Sequence, residues 1–486
     1  MSNPARSQCA ALPPWYRSLR ALAVAVLALC ALSYWAHTIT ISFDLPWGDH
    51  WRWIRFGLLP LQTGDISFFE YLTSEYVAFS HSHIVTLLQL WLNKTFLGLN
   101  YRLEMAVGSF ALLSLVVVIA CSKKYGALRD PRDGPAGLLV LLAATLVMLG
   151  LHNVNAWTLI QFESVYILVA YGFFLYADTH YTTLHSRAGY FVWVFALFFL
   201  GDVPGVMAVL SVLLYMILFD FKRHRKTLLL SVLCLAAAYL VARFLLPPSL
   251  VKGGSVSRGL TYLFTHIDEG LVLLLKAGAQ SLVDRTSLSL VFGPAWERVQ
   301  YGIGLLVWVF IGSAFLLYCK TSSLRAYRLP LLLIILTGLT VGGLLVLRLA
   351  DYGPGIGQSD RYTKVLQAGV IGSSLIFILR FGLSRGEDRS RNYLPALGIA
   401  AMLAVLALFN VTAQVHHWRY YPAIAGIKQQ SIHAILLAGQ DPAKEIVFPD
   451  RRCAGGFCKP SIAYLKRHKL SVFRSRAGFL PLDPPQ

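Results

Sequence analysis

The sequence predicts an all-α, polytopic membrane protein, and three observations carry that expectation. Runs such as "ALAVAVLALCALSYWAHTIT" (21–40) and "YLPALGIAAMLAVLALFNVT" (393–412) reach the roughly 20 apolar residues that cross a hydrocarbon layer, and similar runs recur along the chain. Charged residues make up 14% of the 486 positions and hydrophobic ones 56%, with a mean hydropathy of +0.59. Soluble domains carry nearer a quarter charged, so a soluble enzyme with a large core is excluded. Basic residues fall in short tracts between the apolar runs: "KKYGALRDPR" (123–132), "FKRHRK" (221–226), "KTSSLRAYR" (320–328) and "SRGEDRSR" (384–391). Such tracts mark cytoplasmic loops. The net charge of +19 therefore reports topology and contact with anionic membrane lipids, not nucleic acid.

The elements follow in order. Arg6, Arg17 and Arg20 hold the N-terminus inside, and a first span at about 21–41, with no small-residue cleavage site after it, is retained as a helix. Two apolar segments, 84–98 and 102–122, precede the next basic tract, so one of them does not cross. Segment 84–98 is short and holds Asn93 and Lys94, which fits a helix lying at the outer interface; 102–122 is then the second span. Further spans are expected near 136–151, 157–177, 188–201, 203–220, 227–246, 301–319, 329–347, 363–382 and 393–413, about eleven in all, the 188–220 pair being short. The chain divides into a membrane module, 1–413, and an external C-terminal segment, 414–486. Three larger segments fall outside: 42–101, 247–300 and 414–486.

The first of these holds "FDLPWGDHWRWIRF" (43–56), too rich in polar chemistry for a connector. Its "DHWRWIRFGLL" sets Trp51, Ile54 and Leu58 at helical spacing against Arg52 and Arg55, and "DISFFEYLTSEYVAF" repeats the pattern. In 247–300, the apolar stretch 259–275 with Asp268 and Glu269 reads as an interfacial helix and lid. No heptads, low-complexity tracts or internal period are present.

Trp47, Asp49 and Trp51 form a "W-x-D-x-W" opening. His81 and His83 follow in "SHSH", and Arg102 opens the second span. This order, an acidic residue after the first span, interfacial helices, then a span beginning at an arginine, resembles the GT-C class of polyprenyl-phosphate-sugar-dependent glycosyltransferases, over roughly the first 220 residues. The resemblance implies a bacterial inner-membrane enzyme with its site facing the periplasm. Its partners would be a polyprenyl-phosphate-linked sugar donor and a glycan, lipid or protein acceptor. The sequence departs from the family in two places: His50 follows Asp49 where a second acid is common, and "LHNVNAWTLIQFES" (151–164) has Glu163 but no Asp.

The chemistry so implied needs a carboxylate to take the acceptor's proton or to hold a divalent cation, Mg or Mn, on the phosphate. Asp49 is the first candidate and Asp44 the second; Asp49 as the cap of the helix beginning "HWRWI" is the alternative. Cationic donors for the phosphate are sought in "LRLADYGPGIGQSDRYTKVLQ" (347–367), where Arg348, Arg361 and Lys364 flank a turn-rich loop able to turn backbone amides toward an anion. An Asp360–Arg361 anchor at the interface is the other reading. Arg102, Arg52, His50, His81 and His83 complete the candidate binding set, and the spacing of His81 and His83 argues against zinc. Glu163, about one turn into a span, is either functional or paired with a basic residue, while turn chemistry explains Asp202. A lipid-linked-glycan flippase and a non-catalytic envelope scaffold are the rival functions. A flippase is disfavoured by the absence of repeated halves and by charges gathered at the external edge.

"CAGGFC" (453–458) closes the chain's list of motifs. On the oxidising side of a membrane, Cys453 and Cys458 are expected to bridge, the two glycines easing the turn. The following "KPSIAYLKRHKLSVF" reads as a short amphipathic helix and a strand.

Overall fold

The computed structural model describes residues 14–41, 43–46, 49–79, 84–111, 113–121, 134–149, 160–179, 187–200, 202–245, 256–320, 328–382, 393–441, 453 and 457–474. Every regular element among them is helical. Helix α1 (Pro14–Ile41) leads into a continuous helical run over 49–63. This run consists of α2 (Asp49–Trp53), a π-helical turn (Ile54–Leu58) and α3 (Leu59–Thr63). Pro60 accounts for the π turn. A proline ring clashes with the carbonyl four residues back and has no N–H to offer it. The widened turn instead lets the Leu59 amide bond to Ile54 O, five residues back.

Helix α4 (Phe68–Phe79) opens with a capping box: the Ser67 amide donates to Glu70 at 2.7 Å and the Glu70 amide to Ser67 Oγ at 3.2 Å. Those bonds favour the ionised carboxylate and hold the Glu70 pKa below the ordinary value. Then come α5 (Ile84–Leu97), α6 (Tyr101–Ala111) and α7 (Ser114–Cys121), so the expected second span is two helical pieces. Between α5 and α6, Gly98 has φ +63° and Leu99 φ +58°. Asn93 supports this strained corner, accepting from the Asn100 amide at 2.7 Å and donating to Glu104 at 2.9 Å.

The apolar bundle continues with α8 (Gly134–Met148), α9 (Ile160–Thr179), α10 (Arg187–Leu200), α11 (Asp202–Phe219) and α12 (Phe221–Leu245). The expected lid stretch is two helices, α13 (Val256–Thr265) and α14 (Ile267–Gln280), broken at His266, and α15 (Arg285–Phe292) follows. After these lie α16 (Trp296–Cys319), α17 (Arg328–Leu347), the short α18 (Leu349–Tyr352), α19 (Asp360–Gly382), α20 (Tyr393–Gln440) and α21 (Lys459–Arg467). At the α14–α16 crossing a Cβ on Gly304 would fall 1.9 Å from Leu275 O, so the backbones touch there as small residues permit. Six helical stretches are long and apolar enough to cross a membrane, within 21–38, 221–242, 285–319, 328–347, 362–381 and 397–440, and several shorter helices are equally apolar. The chain is an integral, multi-pass membrane protein on that ground.

Two expectations change. The helix of the expected last span does not end at position 413, because α20 runs 48 residues, about 72 Å at 1.5 Å per residue, more than twice a hydrocarbon core. Pro422 lies inside it and leaves the Trp418 carbonyl without its helical donor. The expected strand after "KPSIAYLKR" is instead a 3₁₀ turn, Ser471–Phe473.

A second core, separate from that of the bundle, joins the first loop to the C-terminal segment. Trp51, Trp53, Ile54, Tyr71, Leu87 and Leu90 pack with Ile435, Ile462, Leu465 and the Cys453–Cys458 disulfide. Polar contacts seam the two: Arg55 donates to Phe457 O at 3.0 Å, Tyr464 Oη to Gln62 at 3.1 Å, and the Ser471 amide to Gly98 O at 2.9 Å. This cap sits where α1 ends and α20 ends.

Candidate functional site

The residues singled out by sequence separate into distinct surroundings. Asp49 is the first residue of α2. The side chains of Asp49, Glu163 and Arg361 lie outside the description, as do residues Trp47, His81 and His83 entirely. Among the described residues no group of three His, Cys, Asp or Glu could hold a metal ion.

Asp44 is buried and fully engaged. Its Oδ1 accepts the Tyr101 amide at 3.0 Å, its Oδ2 meets Arg474, and its backbone carbonyl accepts Ser471 Oγ at 2.9 Å. It caps α6 and ties the C-terminal segment down, a structural role. Burial raises its carboxyl above 3.8, and Arg474, the Tyr101 amide and Arg102 pull it back in part. Arg102 itself is exposed on α6, and Arg52 is half-buried. His50 is buried between Trp53, at 5.7 Å ring to ring, and Tyr101 at 4.7 Å.

The presumed anion loop is built differently from expectation. Its amides turn inward on the loop itself: Gly353 N to Leu349 O at 2.8 Å, Ile356 N to Gly353 O at 3.3 Å, Ser359 N to Ile356 O at 3.1 Å. Donors already satisfied in short helical turns make no nest for an anion. Arg348 is half-buried, its guanidinium 5.7 Å from the Tyr352 ring. Lys364 is buried away from any mouth, its Nζ donating to Met148 O and lying 5.6 Å from the Tyr34 ring. With Gln367 on Val147 O and Asn410 on Leu146 O, both at 2.7 Å, it satisfies the carbonyls that α8 leaves open at its C-terminus. A cation is well placed there against the negative end of the helix. One residue past Thr363, the helical turn points Lys364 into the bundle rather than along its rim.

Sequence reasoning passed over four groups that the fold buries or half-buries on the cap side. Glu104, 5% exposed, takes Asn93 and Gln89 amides at 2.9 and 3.1 Å. His37 lies in the last turn of α1, 5.9 Å from the His417 ring and 5.1 Å from that of Trp418. His417 Nε2 lies 3.5 Å from Asp284 Oδ2. The signal was present in "YWAHTIT" and "VHHWR": ionisable residues inside apolar helices are costly and mark function by default. Along α20 beside these groups runs an open groove of about 500 Å³, lined by Val411, Gln414, Val415, Trp418 and Arg419. Its walls are apolar, with one cation at the cap end.

What the arrangement offers chemically is a half-buried imidazole beside a buried carboxylate, next to a groove open to the side of the bundle. Compared with family models, curated proteins and solved structures, the chain matches none of them.

Proposed function

We propose that this protein is a membrane glycosyltransferase, moving a sugar from a polyprenyl-phosphate carrier to a glycan, lipid or protein acceptor on the periplasmic side of a bacterial inner membrane. The observation that carries the reading is the cap. The segment whose residues resemble the GT-C order, with Asp49 opening α2, is bound to the C-terminal segment over the end of the bundle where His37, His417 and Asp284 gather. In this reading α1, α6 with α7, α8 to α12, α16, α17, α19 and α20 make about eleven crossings. The groove along α20 admits an isoprenoid chain sideways from the bilayer, and Arg419 meets its phosphate. Asp49 supplies a carboxylate for the acceptor.

The test is sugar transfer by the purified protein in vesicles, with polyprenyl-phosphate sugars as donors and lipid-linked products read by mass spectrometry. Asp49→Asn, which removes the charge that binds the acceptor or holds a divalent cation on the phosphate, should lose about 100-fold or more of the rate with the protein intact. Asp44→Asn should lose yield and thermal stability rather than turnover. A wild-type protein that transfers none of a panel of such sugars counts against the reading, as does an Asp49→Asn protein as active as wild type.

A further inference from the structure

His37 is fully buried, and among the described residues neither of its ring nitrogens has a hydrogen-bond partner. Among the described residues neither ring nitrogen of His417 makes a hydrogen bond either; its Nε2 lies at ion-pair distance from Asp284 Oδ2, 3.5 Å. Buried polar groups are nearly always satisfied, so two adjacent imidazoles left open are out of place in a purely structural core. Asp284 is itself immobilised. Its Oδ1 accepts the Thr286 and Ser287 amides at 2.9 and 3.0 Å, and its Oδ2 accepts Ser287 Oγ at 2.6 Å. A fixed carboxylate beside one ring nitrogen holds the proton there and leaves the lone pair on the other. The carboxylate 3.5 Å from Nε2 favours the tautomer with its proton there and its lone pair on Nδ1.

The three groups come from α1, from the cap of α15 and from α20, so no single element explains their meeting. Trp418, one residue on, lines the groove along α20 and packs its ring on His37, which puts the pair just behind the groove wall.

We infer that His417, oriented by Asp284, is the base that takes the acceptor's proton, and that His37 supplies the hydrogen bond positioning the acceptor's hydroxyl or amine; this rests on the glycosyl-transfer reading. The acceptor proton passes to His417 Nδ1. The freed pair on oxygen or nitrogen forms the bond to the anomeric carbon. The bond from that carbon to the phosphate oxygen breaks, and its electrons leave on the phosphate. Asp284 then balances the imidazolium. Asp49 keeps a binding role. The charged or titratable groups around His417 are Asp284 before α15, His37 on α1, and His416 and Arg419 on its own helix.

The experiment is the pH dependence of kcat/KM for sugar transfer in vesicles, for wild type, His417→Gln, Asp284→Asn and His37→Gln. Retention of the Cys453–Cys458 bridge and wild-type elution serve as the fold control. His417→Gln should lose about 100-fold or more and abolish the ascending limb. Asp284→Asn should lower kcat with KM for the acceptor little changed, because the ring loses the carboxylate that orients it. His37→Gln should raise KM for the acceptor more than it lowers kcat. An active wild type whose limb survives in His417→Gln, with rates within threefold, overturns the base and leaves glycosyl transfer standing. A wild type that transfers no sugar removes both. If His417→Gln does not fold, an Asp284→Asn protein with kcat/KM within threefold of wild type overturns the assignment.

Discussion

Arg474 reaches back 430 positions to pair with Asp44, the residue that also caps α6 through the Tyr101 amide. One carboxylate thus joins the end of the first span, the start of α6 and the end of the described chain. Arg474→Ala should lower cap stability by about 2 kcal/mol. That is less than the 3–5 kcal/mol of a fully buried pair, because the Arg474 side chain is 26% exposed.

The same pair has a pH signature. Asp44 has a folded-state pKa raised above 3.8 by burial, so its contribution is greatest below the unfolded value and is lost as pH rises through the folded one. Without Arg474 the raise is larger. The deficit of Arg474→Ala against wild type should therefore be larger at pH 7 than near pH 4–5. Asp44→Asn, which cannot ionise but can still accept the Tyr101 amide, should flatten the dependence. Resistance of the cap to trypsin across that range measures both. A deficit that grows on acidification would contradict this placement of Asp44.

The cap also makes a topological prediction, since α5 and the C-terminal segment share one core. Cysteines placed at Lys94 and at Gln440, in a background keeping only Cys453 and Cys458, should both react with a membrane-impermeant thiol reagent from the same face of the membrane. Under the proposed function that face is the periplasm. Reaction from opposite faces would separate the two segments that the cap joins.

Cys453 and Cys458 form a disulfide, and Phe457 beside it accepts Arg55 on its carbonyl and stacks 4.6 Å under that guanidinium. Intact mass after alkylation should rise by two further adducts only when reductant is present. Cys319, exposed, should alkylate without it. In Cys453→Ser/Cys458→Ser the damage should stay local, loosening the Arg55 contact and speeding proteolysis near 457 while the bundle unfolds as before. Full alkylation of both thiols in untreated protein would remove the bridge and its support for an oxidising face.

The sequence by itself determined the helices. Apolar runs such as 329–347 and 363–382 became α17 and α19 within a few residues, because hydrocarbon thickness and backbone hydrogen bonding leave little other choice. It also determined which polar stretches stand outside them, and the Cys453–Cys458 pairing, whose constraint is local. Tertiary structure decided what the polar side chains do. Lys364 sits one turn into α19, and only the position of α8 makes it a cap for Met148 O rather than a phosphate ligand. Asp44 stands in a polar loop of the sequence, and only the return of Arg474 from the far end of the chain gives its carboxylate a partner. His37, Asp284 and His417 meet from three elements. A helix apolar on every side carries no stripe to say which face turns inward. The partner of a polar group on such a helix is therefore fixed only when neighbouring helices pack against it.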